Sequence, residues 1–269
     1  MRIRVVGMGL MVACVTAVPG PTAVAQEGQP AALQVELKRL GAAARSLLED
    51  LPSFECQETA LSQSLKKSKV RQEVRFVGDL RVERVAGGRL NERLQVTEVN
   101  GRPYSGETFE PPFIVKGGFG ESLFYFLPAM QTCFKYTLSD GRIDFVSPPG
   151  TFGRPECRDT GAPSGMALLD DAGDAIHLER QVRPELAPRV HVVDSTAINF
   201  APVELDGKVY SLPSRMVADV PKKSGMSLHF EAAYTGCHLF KAKSTILPDV
   251  TPVPESGPAP PVPPAARMP

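Results

Sequence analysis

The strongest constraint on this chain is one amphipathic helix placed ahead of a long run of strand-like segments. From Ala31 to Leu51 the apolar residues Leu33, Leu37, Leu40, Ala44, Leu47 and Leu51 recur at alternating four- and three-residue steps, which sets them on one helical stripe. Such a stripe must be buried, and the only large partner the chain offers is β-structure. The expected fold is therefore mainly β (α+β). It is a large curved antiparallel sheet, an incomplete β-barrel of about ten or eleven strands, packed on or capped by the N-terminal helix.

Leu51-Pro52 stops the helix, because proline cannot continue the backbone ladder. Phe54 to Ser64 follows as a first strand, and Lys66-Lys67-Ser68-Lys69 reads as a solvated hairpin turn. Val70 to Ala86 alternates: Val74, Phe76, Leu80 and Val82 share one face with Gly78, where a bulge or bend would curve the strand. After a turn at Gly87-Gly88, Leu90 to Val99 returns with Leu94 and Val96 facing in, and Asn100-Gly101 is a two-residue hairpin signal. Arg102 to Gly118 is rich in proline and glycine, so it reads as a long loop or an edge. Glu121 to Leu127 reads as a short aromatic helix closed by Pro128. The meander resumes at Thr132 to Leu138, turns at Asp140-Gly141 into Arg142 to Ser147, and lapses over Pro148 to Pro163. Gly165 to Leu169 and Ala175 to Arg183 form a hairpin. Val190 to Phe200, Pro202 to Leu205, Lys208 to Leu212 and Arg215 to Val220 continue the series, and Met226 to Ile246 closes it, bent near Gly236.

Both ends stand apart from this domain. Met1 to Ala25 has a basic start, an apolar run from Val5 to Val18 and a small-x-small site at Ala23-Val24-Ala25, so it reads as a signal peptide cut after Ala25. A lipoprotein anchored at Cys14 ranks second, because cutting there halves the apolar run. Pro248 to Pro269 holds nine prolines in 22 residues without an aromatic, and reads as a disordered tail. A proline-rich recognition peptide is its sharper alternative. What remains, 26–247, is the size of one β-rich domain. The expected location is periplasmic or secreted, with no transmembrane segment in the mature chain.

Four cysteines remain after the signal: Cys56, Cys133, Cys157 and Cys237. An even count in an exported protein points to two disulfides with three possible connectivities. Cys133 and Cys157 flank a strand–turn–strand stretch that a hairpin would close, which leaves Cys56 to pair with Cys237 and tie the first strand to the last. Metal-ligand spacing such as C-x-x-C is absent, so no metal site is expected.

Side chains for a reaction are not apparent, and no catalytic residue and no cofactor is expected. His177, His191, His229 and His238 each fall in a strand without paired spacing. Neither G-x-S-x-G nor a P-loop occurs; Gly161-Ala162-Pro163-Ser164-Gly165 is no nucleophile elbow, and Asp170-Asp171 belongs to a turn. With 30 basic and 30 acidic side chains, the chain lacks the charge excess that nucleic acid or an anionic membrane surface would favour.

The order of pieces resembles a group of uncharacterised secreted bacterial proteins. It rests on the helix ending in Leu-Pro, the F-x-C of Phe54 and Cys56, and the LER of Leu178-Glu179-Arg180. The stretch Asp206 to Arg215 (DGKVYSLPSR) and the closing Phe230, Tyr234 and Cys237 add to it. Those proteins are similar in architecture to the LolA/LolB-like envelope carriers, whose incomplete barrel wraps a helical lid around an apolar cavity. The resemblance implies a non-enzymatic carrier of an acyl-chain lipid or lipoprotein. On that reading Val74, Phe76, Leu80, Val82, Leu94 and Val96 line a cavity; on the plainer reading they are core. The alternative function is an envelope protein-interaction or sensor module on the same scaffold with a filled cavity.

Overall fold

The computed structural model describes residues 30–85, 90–106, 109–115, 118–151, 154–160, 163–182, 195–222 and 225–240. The expected signal peptide, Cys14, the Gly87-Gly88 turn, His191 and the proline-rich tail lie outside them. Helix α1 (Ala31–Glu49) buries Leu33, Leu37, Leu40, Gly41, Ala44 and Leu47, the stripe that the spacing requires. Burying a leucine side chain is worth about 1.5–3 kcal/mol, so this face fixes the helix more firmly than its ends do. Its N-terminus has no side-chain cap. At the C-terminus the Arg84 guanidinium donates to the carbonyls of Leu48 and Leu51, and the Tyr210 hydroxyl donates to that of Asp50. Those bonds satisfy acceptors that a helix end leaves without an intrahelical partner.

Eleven strands form one antiparallel sheet: β1 (Phe54–Lys66), β2 (Lys69–Arg84), β3 (Leu90–Val99), β4 (Arg102–Pro103), β5 (Lys135–Ser139), β6 (Arg142–Val146), β7 (Pro163–Leu169), β8 (Ala175–Val182), β9 (Ser195–Leu205), β10 (Lys208–Lys222) and β11 (Met226–Leu239). Their spatial order is β4-β3-β2-β1-β11-β10-β9-β8-β7-β6-β5. The sheet is open, with β4 and β5 as its edges, and the first strand pairs with the last along a seam in its interior. Consequently the chain between β4 and β5 must travel from one edge of the sheet to the other. It does so on the face that α1 covers, since Phe109, Phe113, Phe119, Leu123 and Phe126 pack into one hydrophobic cluster with the helix.

Several turns form where the residues demand them. Asn100 and Gly101 take φ 50° and 76°, Asp140 and Gly141 take 46° and 72°, and Asp206 and Gly207 take 53° and 73°. Gly78 sits where β2 and β3 slip register, and a Cβ there would come within 2.7 Å of the Gln95 carbonyl oxygen. On β11, Gly236 has φ 62°, and Gly236-Cys237 together oppose Cys56 alone. That bulge lies at the Cys56–Cys237 disulfide, while Cys133–Cys157 joins the residues just before β5 to the 3₁₀ helix Pro155–Thr160 ahead of β7.

Three local expectations need correction. β9 runs unbroken through Pro202 and β10 through Pro213, where the sequence suggested separate strands. At Pro213 the ladder slips register before Arg215, and such a slip lets a strand carry a residue without an N–H. The aromatic helix over Glu121 to Leu127 shrinks to a single 3₁₀ turn, Phe124–Phe126, and Pro128 opens the four-residue helix α2 (Pro128–Gln131) instead of closing one. Proline fits there because the first helical N–H has no intrahelical partner.

Candidate functional site

The inner face of the sheet is divided between two covers. α1 lies over β5 and β8 to β10, anchored by Lys208 on Asp50 and by Arg39 on the Ala172 carbonyl. The described residues between β4 and α2 lie over β1 to β3 and β11. Phe109 meets Phe76 edge-on at 4.9 Å, Phe113 meets Phe230 at 6.1 Å, and Phe119 meets Phe54 at 5.4 Å and Tyr234 at 4.9 Å. Two polar points pin this crossing segment. Ser62, on the buried face of β1, donates to the Phe113 carbonyl at 2.6 Å and accepts from the Phe113 N–H at 2.9 Å. The Glu92 carboxylate accepts the N–H groups of Gly118 and Phe119 at 3.2 and 2.9 Å.

Between those pins sits Glu58. Strand parity explains its burial: Phe54, Cys56, Glu58, Ala60 and Ser62 share the inner face of β1. Glu58 pairs across the ladder with Gly78 on one side and Tyr234 on the other, and it is only 4% exposed. Burial, and behind it the charge of Glu92, pushes its carboxyl up to about 7. Burial likewise raises the Tyr234 phenol, with Glu58 and Glu92 adding to the effect. Glu58, Leu80, Glu92, Leu94, Ile114, Val115 and Tyr234 surround a cavity of about 40 Å³.

A larger groove of about 800 Å³ opens beside it, between β3 and the crossing segment. Its lining is mixed: Leu94, Val96, Tyr104, Phe109 and Ile114 supply apolar surface, Glu92, Arg93, Gln95 and Ser105 supply polar surface, and Glu92, Leu94 and Ile114 border both spaces. A third space of about 250 Å³ lies under α1, bounded by Leu47, Leu123, Phe200 and Tyr210.

Of the six residues read as a cavity lining, Phe76 and Val82 are packed in the core, and Leu80 is buried beside the small cavity. Leu94 and Val96 line the groove, and Val74 is partly buried against the cluster. Glu58 and Glu92 were not among them. Their parity with Phe54 and Cys56, and with Leu94 and Val96, is the signal that would have found them.

His177 bonds to Asn199 and Glu179, His229 to Asp219, and His238 to the Gly236 carbonyl. Asp170 accepts the Asp174 N–H within its turn. Among the described residues no three His, Cys, Asp or Glu side chains are grouped to hold a metal ion, and no helix is long and apolar enough to cross a membrane. Two disulfides suit an oxidising compartment.

No family model and no curated protein matches the chain. Among solved structures it is similar to the LolA superfamily protein NE2245 from Nitrosomonas europaea, at 8% identity and TM-score 0.33, covering 77% of this chain and 94% of that one. It is also similar to a DUF1329 family protein from Desulfovibrio piger, at 10% identity and TM-score 0.33, covering 77% and 92%. A structure of lipovitellin describing its lipid–protein interactions is similar at 12% identity and TM-score 0.29, covering 73% of this chain and 26% of that one. Likeness this loose transfers neither a residue nor a ligand.

Proposed function

We propose that this is a non-enzymatic cell-envelope protein that binds a lipid or lipidated partner in its half-barrel, as a carrier does. The observation that supports the reading is the incomplete cover over β1 to β3. The crossing segment is pinned at Ser62 and Glu92, yet it leaves a groove of about 800 Å³ in which Leu94, Val96, Phe109 and Ile114 form an apolar strip beside the polar Glu92, Arg93, Gln95 and Ser105, a size within the range of small-molecule sites. Export by the Met1–Ala25 signal, one domain over 26–247 and a disordered tail over 248–269 belong to the same proposal.

The test is displacement of a fluorescent apolar probe, 8-anilinonaphthalene sulfonate, by alkyl-chain amphiphiles, with Leu94→Trp as the groove-filling variant. Saturable probe binding that the chains displace, and that L94W abolishes, supports the proposal. Probe binding that is absent, or indifferent to L94W, overturns it.

A second reading, an interaction or sensor module with a filled cavity, draws on the Phe109, Phe113 and Phe119 rings that already occupy much of the inner face. It gains if the wild type takes no chain while L94W is without effect on a partner's binding.

A further inference from the structure

The small cavity behind the groove carries more chemistry than an apolar chain requires. Two of its polar groups, the Glu58 carboxyl and the Tyr234 hydroxyl, have no side-chain hydrogen bond to the protein among the described residues. Both border the same 40 Å³ space instead, although Glu58 is 4% and Tyr234 8% exposed. Among the described residues no fully buried side-chain oxygen or nitrogen lacks a partner, so the Glu58 and Tyr234 oxygens, with no side-chain bond of their own, open onto this cavity and are available to a donor that enters it. Glu92, by contrast, already spends its oxygens on Gly118 and Phe119.

Three properties of the space select what can occupy it. It is small, with room for about two waters, so an ammonium group fits and a quaternary trimethylammonium or a phosphodiester does not. Its acceptors are carboxyl oxygens, which favour a charged donor and repel a carboxylate. It borders the groove through Glu92, Leu94 and Ile114, so a head group held at Glu58 leaves its chain along the apolar strip of Leu94, Val96, Phe109 and Ile114.

From this geometry we infer that the half-barrel takes a single-chain amphiphile with a primary ammonium head, and that Glu58 is the anchor for that head, assisted by Tyr234. The inference rests on the proposed chain-binding function and adds the head-group chemistry to it. Chain and head make separable contributions, so each has its own control.

The experiment is isothermal titration calorimetry on the full chain with dodecylamine, dodecyltrimethylammonium and dodecanoate, all below their micellar concentrations. The expected order is dodecylamine tightest and the other two at least tenfold weaker. Glu58→Gln is expected to weaken dodecylamine at least tenfold while leaving dodecanoate unchanged or tighter. Tyr234→Phe, which keeps the ring packed on Phe119, is expected to weaken dodecylamine several-fold, and it decides the matter if E58Q does not fold. Equal binding of all three chains, untouched by E58Q and Y234F, overturns the head-group assignment and leaves chain binding standing. Failure of every chain to bind overturns both.

Discussion

Ser62 and Phe113 hold each other by a reciprocal pair of hydrogen bonds, hydroxyl to carbonyl and amide to hydroxyl, across a sequence separation of 51 residues. One fully buried side chain thereby satisfies both backbone groups of a residue that belongs to no strand. Ser62→Ala would remove both partners of the part-buried Phe113 N–H and carbonyl, a loss of about 1 kcal/mol. Chemical denaturation is expected to show that loss. Amide exchange at Phe113 to Val115 is expected to speed up by more than the global change, because the pin acts locally. Exchange that rises uniformly across the sheet would show that Ser62 does not fasten this segment.

Glu58 makes stability depend on pH. Its folded carboxyl keeps a proton up to about 7, against 4.5 ordinarily, so between those values the folded state binds more protons than the unfolded one. Stability therefore falls as pH rises through that window, by about 3 kcal/mol in all. Glu58→Gln removes the titration. The variant is expected to match or trail the wild type at pH 4 and to exceed it at pH 8, read from urea midpoints at the two pH values. A wild type whose stability rises steadily from pH 5 to 8, with E58Q parallel to it, would contradict the assignment.

The two disulfides close loops of very different length, with sequence separations of 181 for Cys56–Cys237 and 24 for Cys133–Cys157. The chain-entropy model gives them about 5 and about 3 kcal/mol respectively. Paired serine substitutions are expected to rank in that order in thermal unfolding. The first bridge also spans the seam where β1 meets β11, so its loss is expected to raise exchange on both strands. A larger cost for the shorter loop would mean that the seam is held mainly by its ladder and core.

Much of this fold was legible because its signals are local. The α1 stripe, the parity of β2 and β3, the Asn-Gly and Asp-Gly turns and the bend at Gly236 each depend on a few neighbouring residues. Pro202 and Pro213 misled for the same local reason: a proline argues against an interior strand, yet a register slip on β10 accommodates one. The site was the least legible part. Glu58 is buried by Ile114, Val115 and Tyr234 and feels Glu92, residues far from it in sequence. They are brought together by the seam and by a segment obliged to cross the sheet. Arg102 to Gly118 was readable as a loop or edge; that Phe109 and Phe113 lie on the inner face follows from their packing on Phe76 and Phe230, strands distant in sequence, and not from any local pattern.

The central claim is that the groove beside Leu94 and Val96 holds an apolar chain. Native mass spectrometry of the gently purified protein tests it most directly. The expected spectrum shows the chain carrying one amphiphile, lost on collisional activation and absent from Leu94→Trp. A bare protein mass for the wild type, persisting after incubation with excess dodecylamine and dodecanoate, would contradict it.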